Sequence, residues 1–391
     1  MNNFIYYAPT KVYFGKGEHE KVGEIVAGYG FKKVFLHFGG GSVKRSGLLD
    51  TVETKLREAG IDLVEFGGAQ PNPVISHARE GIALCRREGC DLVLAVGGGS
   101  AIDESKVIAV GSQNDADPWE FTTKKKVPEK ALPVGVILTL AATGSEMSAS
   151  AVITNDELGL KRGYNSDFHR PLFSILNPEL TYTVPPYQTA CGIVDIMMHT
   201  LERYMTIPSE AEISDRIAEG LVKTVITAGR AAMANPKDYE ARANLMWAGS
   251  LSHNDLTGCG RSYMTVSHQI EHELSGMFPE VAHGAGLAVI FPAWMRYTYK
   301  HYLSRFTQYA VRVWNCEMNF DHPERTALEG IEKTEEYFRS IGMPLRLSEL
   351  GIGEDSIHEM AVKCTNYGTR VLKGPIEYGE KEIEEIYRLC L

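Results

Sequence analysis

An apolar run that ends in glycines and continues with helical spacing is the feature that most constrains the fold of this chain. The stretch DLVLAVGGGSAIDESKVIAV, residues 91–110, has this form. Two other apolar runs, residues 32–38 and 131–140, also lead into loops of small residues, GGGS and AATGSE. Strands that alternate with helices predict parallel strands joined by crossover helices. The sequence therefore predicts an α/β fold with a parallel, Rossmann-like sheet.

The pattern changes to a helical one from about residue 186 onward. Segments such as YQTACGIVDIMMHTLERYM and DYEARANLMWAGSLSHNDL combine helical periodicity with good helix formers. Pro185 and Pro186 mark the boundary, because proline opens a helix well but does not continue one. We expect an α/β nucleotide-binding domain over residues 1–185 and an all-α domain over residues 186–391.

Charge and composition exclude several kinds of partner. The formal net charge is −10, which argues against nucleic acid and anionic membranes as partners. The N-terminus MNNFIYYAPT has no basic and apolar signal segment, and no apolar run reaches the roughly 18–20 residues of a membrane helix. The seven cysteines are scattered and never in C-x-x-C spacing, which indicates reduced thiols. The sequence predicts a cytoplasmic protein.

The three small-residue loops predict a phosphate-binding edge of the sheet. Glycine lets the backbone approach a phosphate closely, and free helix amides at Ser100 would point toward it. The spacing is neither G-x-G-x-x-G nor a P-loop, so one loop alone is equally compatible with a tight turn. Because all three loops follow strands of one parallel sheet, they converge on its carboxyl edge. Together they indicate an extended ligand with phosphates, such as a dinucleotide.

The end of the run at residues 32–38 bears on which dinucleotide binds. A carboxylate at this point would bind the ribose 2′-hydroxyl and reject a 2′-phosphate. Gly39 stands there instead, and Lys44 and Arg45 follow shortly after it. The absent acid and the nearby cations favour NADP(H) over NAD(H), unless the two cations only form a solvated helix start.

Side chains that suit a divalent metal lie in two helical segments. Asp195 and His199 stand four residues apart in an apolar segment, which places both on one helix face. A buried carboxylate needs a hydrogen bond, an ion pair or a metal. The stretch SHQIEHELSGMFPEVAHGAG adds His268, His272 and His283. Imidazoles with a carboxylate, and no cysteine in the stretch that carries the three histidines, indicate a site for Fe²⁺ or Zn²⁺.

The five residues HQIEH also match the inverted zinc-protease motif. In that alternative, His268 and His272 are joint ligands, Glu271 is the general base, and no nucleotide is needed. It would leave the glycine loops, Asp195 and His199 without a role.

The chain resembles the iron-containing (group III) alcohol dehydrogenases, most closely their butanol-dehydrogenase-like branch, along nearly its whole length. The resemblance implies a dehydroquinate synthase-like architecture. It rests on motifs that occur in the family's order: GKGEHEKVGE, GGGS at 39–42, PNP at 71–73, GGGSAID at 97–103, DPWEF at 117–121, TGSEMSASAVIT at 143–154, NPELTYTVPP at 177–186, D-x-x-x-H at 195–199, H-x-x-x-H at 268–272 and HG at 283–284.

The resemblance also implies which residues bind the metal and which bind the nucleotide. The family's aspartate and three histidines that bind the catalytic metal match Asp195, His199, His268 and His283, with iron as the expected ion and zinc next. His272 matches a histidine beside the metal and near the nicotinamide, which is either a proton relay or only a hydrogen-bond partner of the site. The family's nucleotide contacts match Gly39, Gly40, Ser42, Asn72, Gly98, Gly99, Ser100, Thr139, Thr143, Ser148, Lys161 and Tyr182.

The expected reaction is hydride transfer between a nicotinamide and a small primary alcohol or aldehyde, such as butanol or butyraldehyde. NAD-preferring members of the family carry an aspartate where this chain has Gly39, which agrees with a preference for NADP(H). A homodimer is expected as the commonest default. On the same fold, sugar-phosphate lyases such as dehydroquinate synthase use nucleotide and metal for a transient oxidation, and this is the remaining alternative.

Overall fold

Two compact units make up the chain in the computed structural model, which describes residues 1–205 and 210–391. One unit spans Tyr7–Val184, and the other combines Pro185–Leu391 with Met1–Tyr6. This differs from the predicted division, 1–185 and 186–391, in the first six residues and in Pro185. The backbone amide of Asn2 donates to the carbonyl of Gly260 at 2.8 Å, which ties this segment to the helical unit. A backbone hydrogen bond of this kind has no signature in the sequence, so the contact could not be predicted.

A six-stranded sheet forms the centre of the N-terminal unit. The strands of this unit are β1 Lys11–Phe14, β2 Lys33–Gly39, β3 Asp62–Ala69, β4 Leu92–Gly97, β5 Val134–Leu138, β6 Ser150–Asn155, β7 Leu160–Asn165 and β8 Phe173–Leu176. The sheet has the order β1-β8-β5-β4-β2-β3, and every pair in it is parallel. The predicted parallel α/β sheet is confirmed. β4 is buried along its whole length, as expected for a strand covered on both faces.

Short helices alternate with these strands. They are α1 Val22–Gly28, α2 Ser42–Arg45, α3 Leu48–Glu58, α4 Ile75–Glu88, α5 Gly99–Gly111 and α6 Pro118–Thr122. Apolar side chains of α1 and α3 pack with those of β2 and β4 in one core cluster that includes Val22, Leu36, Val52 and Leu94. β6 and β7 lie apart from the main sheet as an antiparallel hairpin, which the sequence analysis did not anticipate.

Nine helices of the described residues form the second unit. They are α7 Pro186–Tyr204, α8 Glu212–Ala234, α9 Tyr239–Ser252, α10 Val266–Met277, α11 His283–Thr298, α12 Leu303–Trp314, α13 Pro323–Ser340, α14 Ile357–Cys364 and α15 Glu380–Leu389, with a minimal hairpin of β9 Leu372–Lys373 and β10 Glu377–Tyr378. α7 begins at Pro186, as the sequence predicts, and is buried on all sides from Thr189 onward. Among the described helices, none combines the length and apolar character needed to cross a membrane.

Candidate metal centre and nucleotide-binding loops

One face of α7 supplies the first part of the candidate metal centre. Asp195, His199 and Glu202 stand at positions i, i+4 and i+7, which share a helix face. The Asp195 Oδ1 atom lies 3.2 Å from Nδ1 of His199. The same Nδ1 atom lies 3.0 Å from the backbone carbonyl of Asp195. A carbonyl only accepts hydrogen bonds, so this contact favours the proton on Nδ1 and leaves the Nε2 lone pair of His199 available.

α10 and α11 bring two more imidazoles to Asp195. His268 lies in the first turn of α10, and His283 is the first residue of α11. Their Nε2 atoms lie 3.6 Å and 3.8 Å from Asp195 Oδ1. The ring centroid of His268 is 4.5 Å from that of His199. The three imidazoles that the resemblance marks as ligands therefore converge on Oδ1 of the fourth residue, Asp195.

The chemistry of these side chains fits a divalent metal. Asp195 is 3% exposed, and His199 and His268 are 5% exposed. Within the part of the chain that the structure describes, Asp195 Oδ1 and His268 Nε2 have no hydrogen-bond partner although both atoms are buried. Such an unsatisfied carboxylate oxygen is costly in a protein interior, and a cation would compensate for it. Imidazole nitrogens with a carboxylate suit Fe²⁺ or Zn²⁺.

Burial and nearby carboxylates shift the pKa values of His199 and His268 in opposite directions. Burial lowers the pKa of His199 well below its ordinary value, so this imidazole is neutral. Burial would also lower the pKa of His268, but the Glu202 and Asp195 carboxylates outweigh it and raise that pKa to about 9. A metal ligand must be a neutral imidazole, so metal uptake at His268 would compete with a proton and release it.

His272 lies beside the cluster, one turn after His268 on α10. Its side chain is buried, and its ring centroid is 5.7 Å from that of His283. His272, His283 and Glu271 present ligand-type atoms within 4.8 Å of one another. This position is consistent with a side chain next to the proposed metal. A role of His272 in proton transfer stays a prediction.

Three side chains at the site were missed as site residues by the sequence analysis. Glu202 lies on the Asp195 face of α7, so its i+7 spacing was a usable signal. Glu271 was considered only as a protease base. Its carboxylate instead forms a hydrogen bond with Nδ1 of His283. The ring of His253 stacks on that of His199 at 4.0 Å between centroids. His253 follows the end of α9, where helical periodicity carries no information.

Glycine is required where α11 meets α7. A Cβ atom at Gly284 would lie 2.2 Å from the backbone carbonyl oxygen of Cys191. Since α7 carries Asp195 and α11 starts at His283, this close approach helps to set the distances within the site.

Replacing Gly284 with alanine is expected to lower the free energy of unfolding by about 1–3 kcal/mol, because the methyl group collides with backbone rather than with a movable side chain. Urea unfolding measures the change. Gly220→Ala on α8 is the matched control, since no described atom lies within 4 Å of its added Cβ. There the substitution should stabilise the helix by roughly 0.5–1 kcal/mol. Equal stability of Gly284→Ala and the parent protein would contradict the close packing of α7 and α11.

In the N-terminal unit, the predicted loops lie at one edge of the sheet. β5, β4 and β2 are consecutive neighbours and parallel, so their carboxyl ends share that edge. Gly39 is the last residue of β2, Gly40 follows it, and Ser42 begins α2. Gly98 connects β4 to α5, and Gly99 and Ser100 are the first two residues of α5.

The loop after β5 approaches the loop after β4 closely. The Thr139 amide donates to the carbonyl of Gly97 at 3.0 Å. A Cβ atom at Gly99 would lie 2.4 Å from the Thr143 side chain, so only glycine fits there without displacement. The loop after β5 thus packs against the loop after β4. Binding of a phosphate-bearing ligand by these loops stays a prediction.

Asn72 and Lys161 come together outside the main sheet. Lys161 Nζ donates to Asn72 Oδ1 at 2.9 Å, and Asn72 has a positive φ of 56°. The unpredicted hairpin of β6 and β7 carries Lys161 to this place. Tyr182 follows β8 through a short 3-10 turn and is half-buried.

Ser148 is held in the interior of the unit. Lys106 Nζ lies 3.2 Å from Ser148 Oγ and 2.7 Å from Ser145 Oγ, while Ser145 Oγ donates to Asp103 Oδ1 at 2.5 Å. Burial lowers the pKa of Lys106 to about 8, although the Asp103 carboxylate acts in the opposite direction. Ser148 is 1% exposed, and its hydroxyl is in contact with Lys106.

Comparisons with known proteins match both units. A family model described as iron-containing alcohol dehydrogenase matches residues 9–178, and one for the C-terminal region of the Fe-containing alcohol dehydrogenase family matches residues 189–391. The NADH-dependent butanol dehydrogenase A of Clostridium acetobutylicum is 43% identical over 389 residues, 99% of each chain. The NADPH-dependent aldehyde reductase YqhD of Escherichia coli is 38% identical over 371 residues, 94% of each chain.

The solved structures agree with these matches. The crystal structure of NADH-dependent butanol dehydrogenase A from Thermotoga maritima has a TM-score of 0.96 and 37% sequence identity, and it covers 100% of this chain and 99% of its own.

Proposed function

The chain belongs to the iron-containing alcohol dehydrogenase family, in its butanol-dehydrogenase-like branch, and from this premise we propose that it is a metal-dependent, NADP(H)-linked enzyme. It interconverts small primary alcohols and aldehydes, such as butanol and butyraldehyde. The family makes it an oxidoreductase of the alcohol dehydrogenase type. The coenzyme preference and the substrate are the parts that we propose.

The observation that carries the proposal is the convergence of His268 and His283 on Asp195 Oδ1, at 3.6 Å and 3.8 Å. Together with His199, these side chains would hold one divalent metal, iron in the first place and zinc next. When bound, the metal supplies Lewis-acid polarisation of the substrate oxygen, and the nicotinamide supplies or accepts the hydride.

The remaining chemistry belongs to the chain itself. His272 is our candidate for moving a proton between the substrate oxygen and water, because an imidazole ordinarily titrates near neutral pH. The loops at the carboxyl edge of the sheet would hold the pyrophosphate through backbone amides of Gly98, Gly99 and Ser100. Binding both reactants in fixed geometry lowers the entropic part of the barrier.

A preference for NADP(H) is supported by the end of β2. Lys44 Nζ lies 5.1 Å from the ring centroid of Phe38, and a Cβ atom at Gly41 would lie 2.6 Å from a guanidinium nitrogen of Arg45. Lys44 therefore lies near the side chain that precedes Gly39, and Arg45 lies near Gly41 in the loop that follows it. A 2′-phosphate at the end of β2 would need such positive charge. Relatives of both coenzyme types are similar to this chain, so these residues, not the family, carry the proposal.

The test is a steady-state comparison of NADPH and NADH with a series of aldehydes and alcohols, on Fe²⁺- or Zn²⁺-restored protein. We expect reduction of butyraldehyde with a higher kcat/KM for NADPH than for NADH. NADPH fluorescence should report binding in the absence of substrate. Equal or higher kcat/KM with NADH would refute the coenzyme proposal, and no turnover of any small aldehyde would refute the substrate class.

A further inference from the structure

We propose that Glu202 and Glu271 are positioning residues, which hold the imidazoles of His268 and His283 with their Nε2 atoms directed at Asp195. The inference rests on the proposed metal site and extends it to two side chains that would not touch the ion. Both carboxylates are buried, and each one meets the Nδ1 atom of a different histidine.

Glu202 connects α7 to the start of α10. Its Oε2 atom forms a hydrogen bond with Nδ1 of His268. Its Oε1 atom accepts from the backbone amide of Ser267, and the amide of His268 lies 3.4 Å away. These amides belong to the first turn of α10, where the helix dipole favours a negative charge. One carboxylate therefore fixes both the helix start and the ring of His268.

Glu271 acts on His283 from the next helix. Its Oε2 atom forms a hydrogen bond with Nδ1 of His283, and the side chain is fully buried. A Cβ atom at Gly286 would lie 2.8 Å from both Cγ and Oε1 of Glu271. α11 thus has glycine at the point where it passes over this carboxylate, which leaves room for Glu271 to reach His283.

The hydrogen bonds determine which ring nitrogen faces the metal position. An ionised carboxylate can only accept, so Nδ1 of each of the two imidazoles carries a proton. When the ring is neutral, as a metal ligand must be, Nε2 is then the nitrogen with the lone pair. The Nε2 atoms of both rings are those that lie closest to Asp195 Oδ1. A partner on the outer nitrogen orients a metal-ligating histidine and raises its basicity.

The two carboxylates also add negative charge around the site. With Asp195, Glu202 and Glu271, three buried carboxylates surround three imidazoles. A divalent cation at the centre would offset most of this charge, whereas a neutral occupant would not. The same residues thus orient the ligands and favour a cation over a neutral occupant.

The test uses Co²⁺, because its absorption bands report ligand geometry independently of turnover and its ligand preferences resemble those of Fe²⁺ and Zn²⁺. Glu202→Gln and Glu271→Gln keep the side-chain volume and remove the charge-assisted hydrogen bond. We expect the Kd for Co²⁺ to rise about 10–100-fold in each variant, with altered visible bands. Far-UV circular dichroism should stay that of the parent protein.

Three further variants complete the design. Gly286→Ala should reproduce the weaker binding and altered bands of Glu271→Gln, because its methyl group displaces Glu271. Glu219→Gln is the matched control: Glu219 is equally buried but pairs with Tyr204 and Arg312, so Co²⁺ binding should not change. His268→Ala should lose Co²⁺ binding entirely.

The outcomes separate this proposal from the proposed function. Parent-like Kd and spectra in both Gln variants, while His268→Ala loses the ion, would overturn the positioning role and leave the metal site standing. An unmodified protein that takes up no Co²⁺, Fe²⁺ or Zn²⁺ would overturn both proposals. Weaker binding in Glu219→Gln to the same degree would show a general loss of buried charge and would also overturn the positioning role.

Discussion

Replacing His268 with alanine is expected to remove the metal and to lower kcat/KM for aldehyde reduction by a factor of about 1,000 or more. The reason is that polarisation of the substrate oxygen by a metal contributes several kcal/mol, and each 1.4 kcal/mol corresponds to about tenfold in rate. Without His268, Asp195 Oδ1 loses one of the imidazoles that surround it. Metal analysis of the purified protein and steady-state kinetics measure the two effects together.

The control for this variant is His358→Ala. His358 lies on α14 in the same unit, and its side chain is 70% exposed, so metal content and turnover should not change. Binding of NADPH should also persist in His268→Ala, because the coenzyme loops belong to the other unit. If His268→Ala kept both its metal and its turnover, the assignment of the ligands would be wrong.

Replacing Gly39 with aspartate is expected to lower the ratio of kcat/KM for NADPH to that for NADH by roughly 100-fold. A carboxylate at the end of β2 repels a 2′-phosphate and accepts a hydrogen bond from a 2′-hydroxyl, and juxtaposed like charges cost several kcal/mol. The backbone tolerates the change, since a Cβ atom at Gly39 would meet only the Ala69 carbonyl, at 3.6 Å.

Gly39→Asn separates charge from size in this experiment. The asparagine has nearly the same volume but no negative charge, so it should change the coenzyme ratio far less than the aspartate does. An unchanged ratio in Gly39→Asp would mean that the end of β2 does not contact the adenosine ribose, and the basis for preferring NADP(H) would fail.

The sheet could be predicted because local sequence carries its signals. The stretch at residues 91–110 contains a buried strand, Leu92–Gly97, and a helix, Gly99–Gly111, separated by a glycine, and the structure has both. The hairpin of β6 and β7 was missed because its strands are not apolar runs that lead into a glycine loop and a helix, and they pair with each other instead of with the main sheet. β1 was missed for a similar reason, since its four residues pair at an edge and are only partly buried.

Helical periodicity alone linked only those residues of the candidate metal centre that share a helix, and the family resemblance supplied the rest of the expected ligand set. The four-residue spacing of Asp195 and His199 indicated a common face, and the structure places them on one. Glu202 contacts His268, and Glu271 contacts His283, but the two residues of each pair lie on different helices. Helical periodicity cannot predict such contacts, so they are visible only in the packed structure. The H-x-x-E-H match at residues 268–272 was an effect of helical spacing. Glu271, which would be the general base in that motif, is hydrogen-bonded to His283 instead.

The most direct test of the central claim is a metal titration of the stripped protein under anaerobic conditions, with oxidation of NADPH by butyraldehyde as the signal. If Asp195, His199, His268 and His283 hold one catalytic ion, the rate should rise in proportion to added Fe²⁺ and level off near one ion per chain. Full turnover by the metal-free protein, or no NADPH oxidation at any Fe²⁺ or Zn²⁺ concentration, would contradict the account.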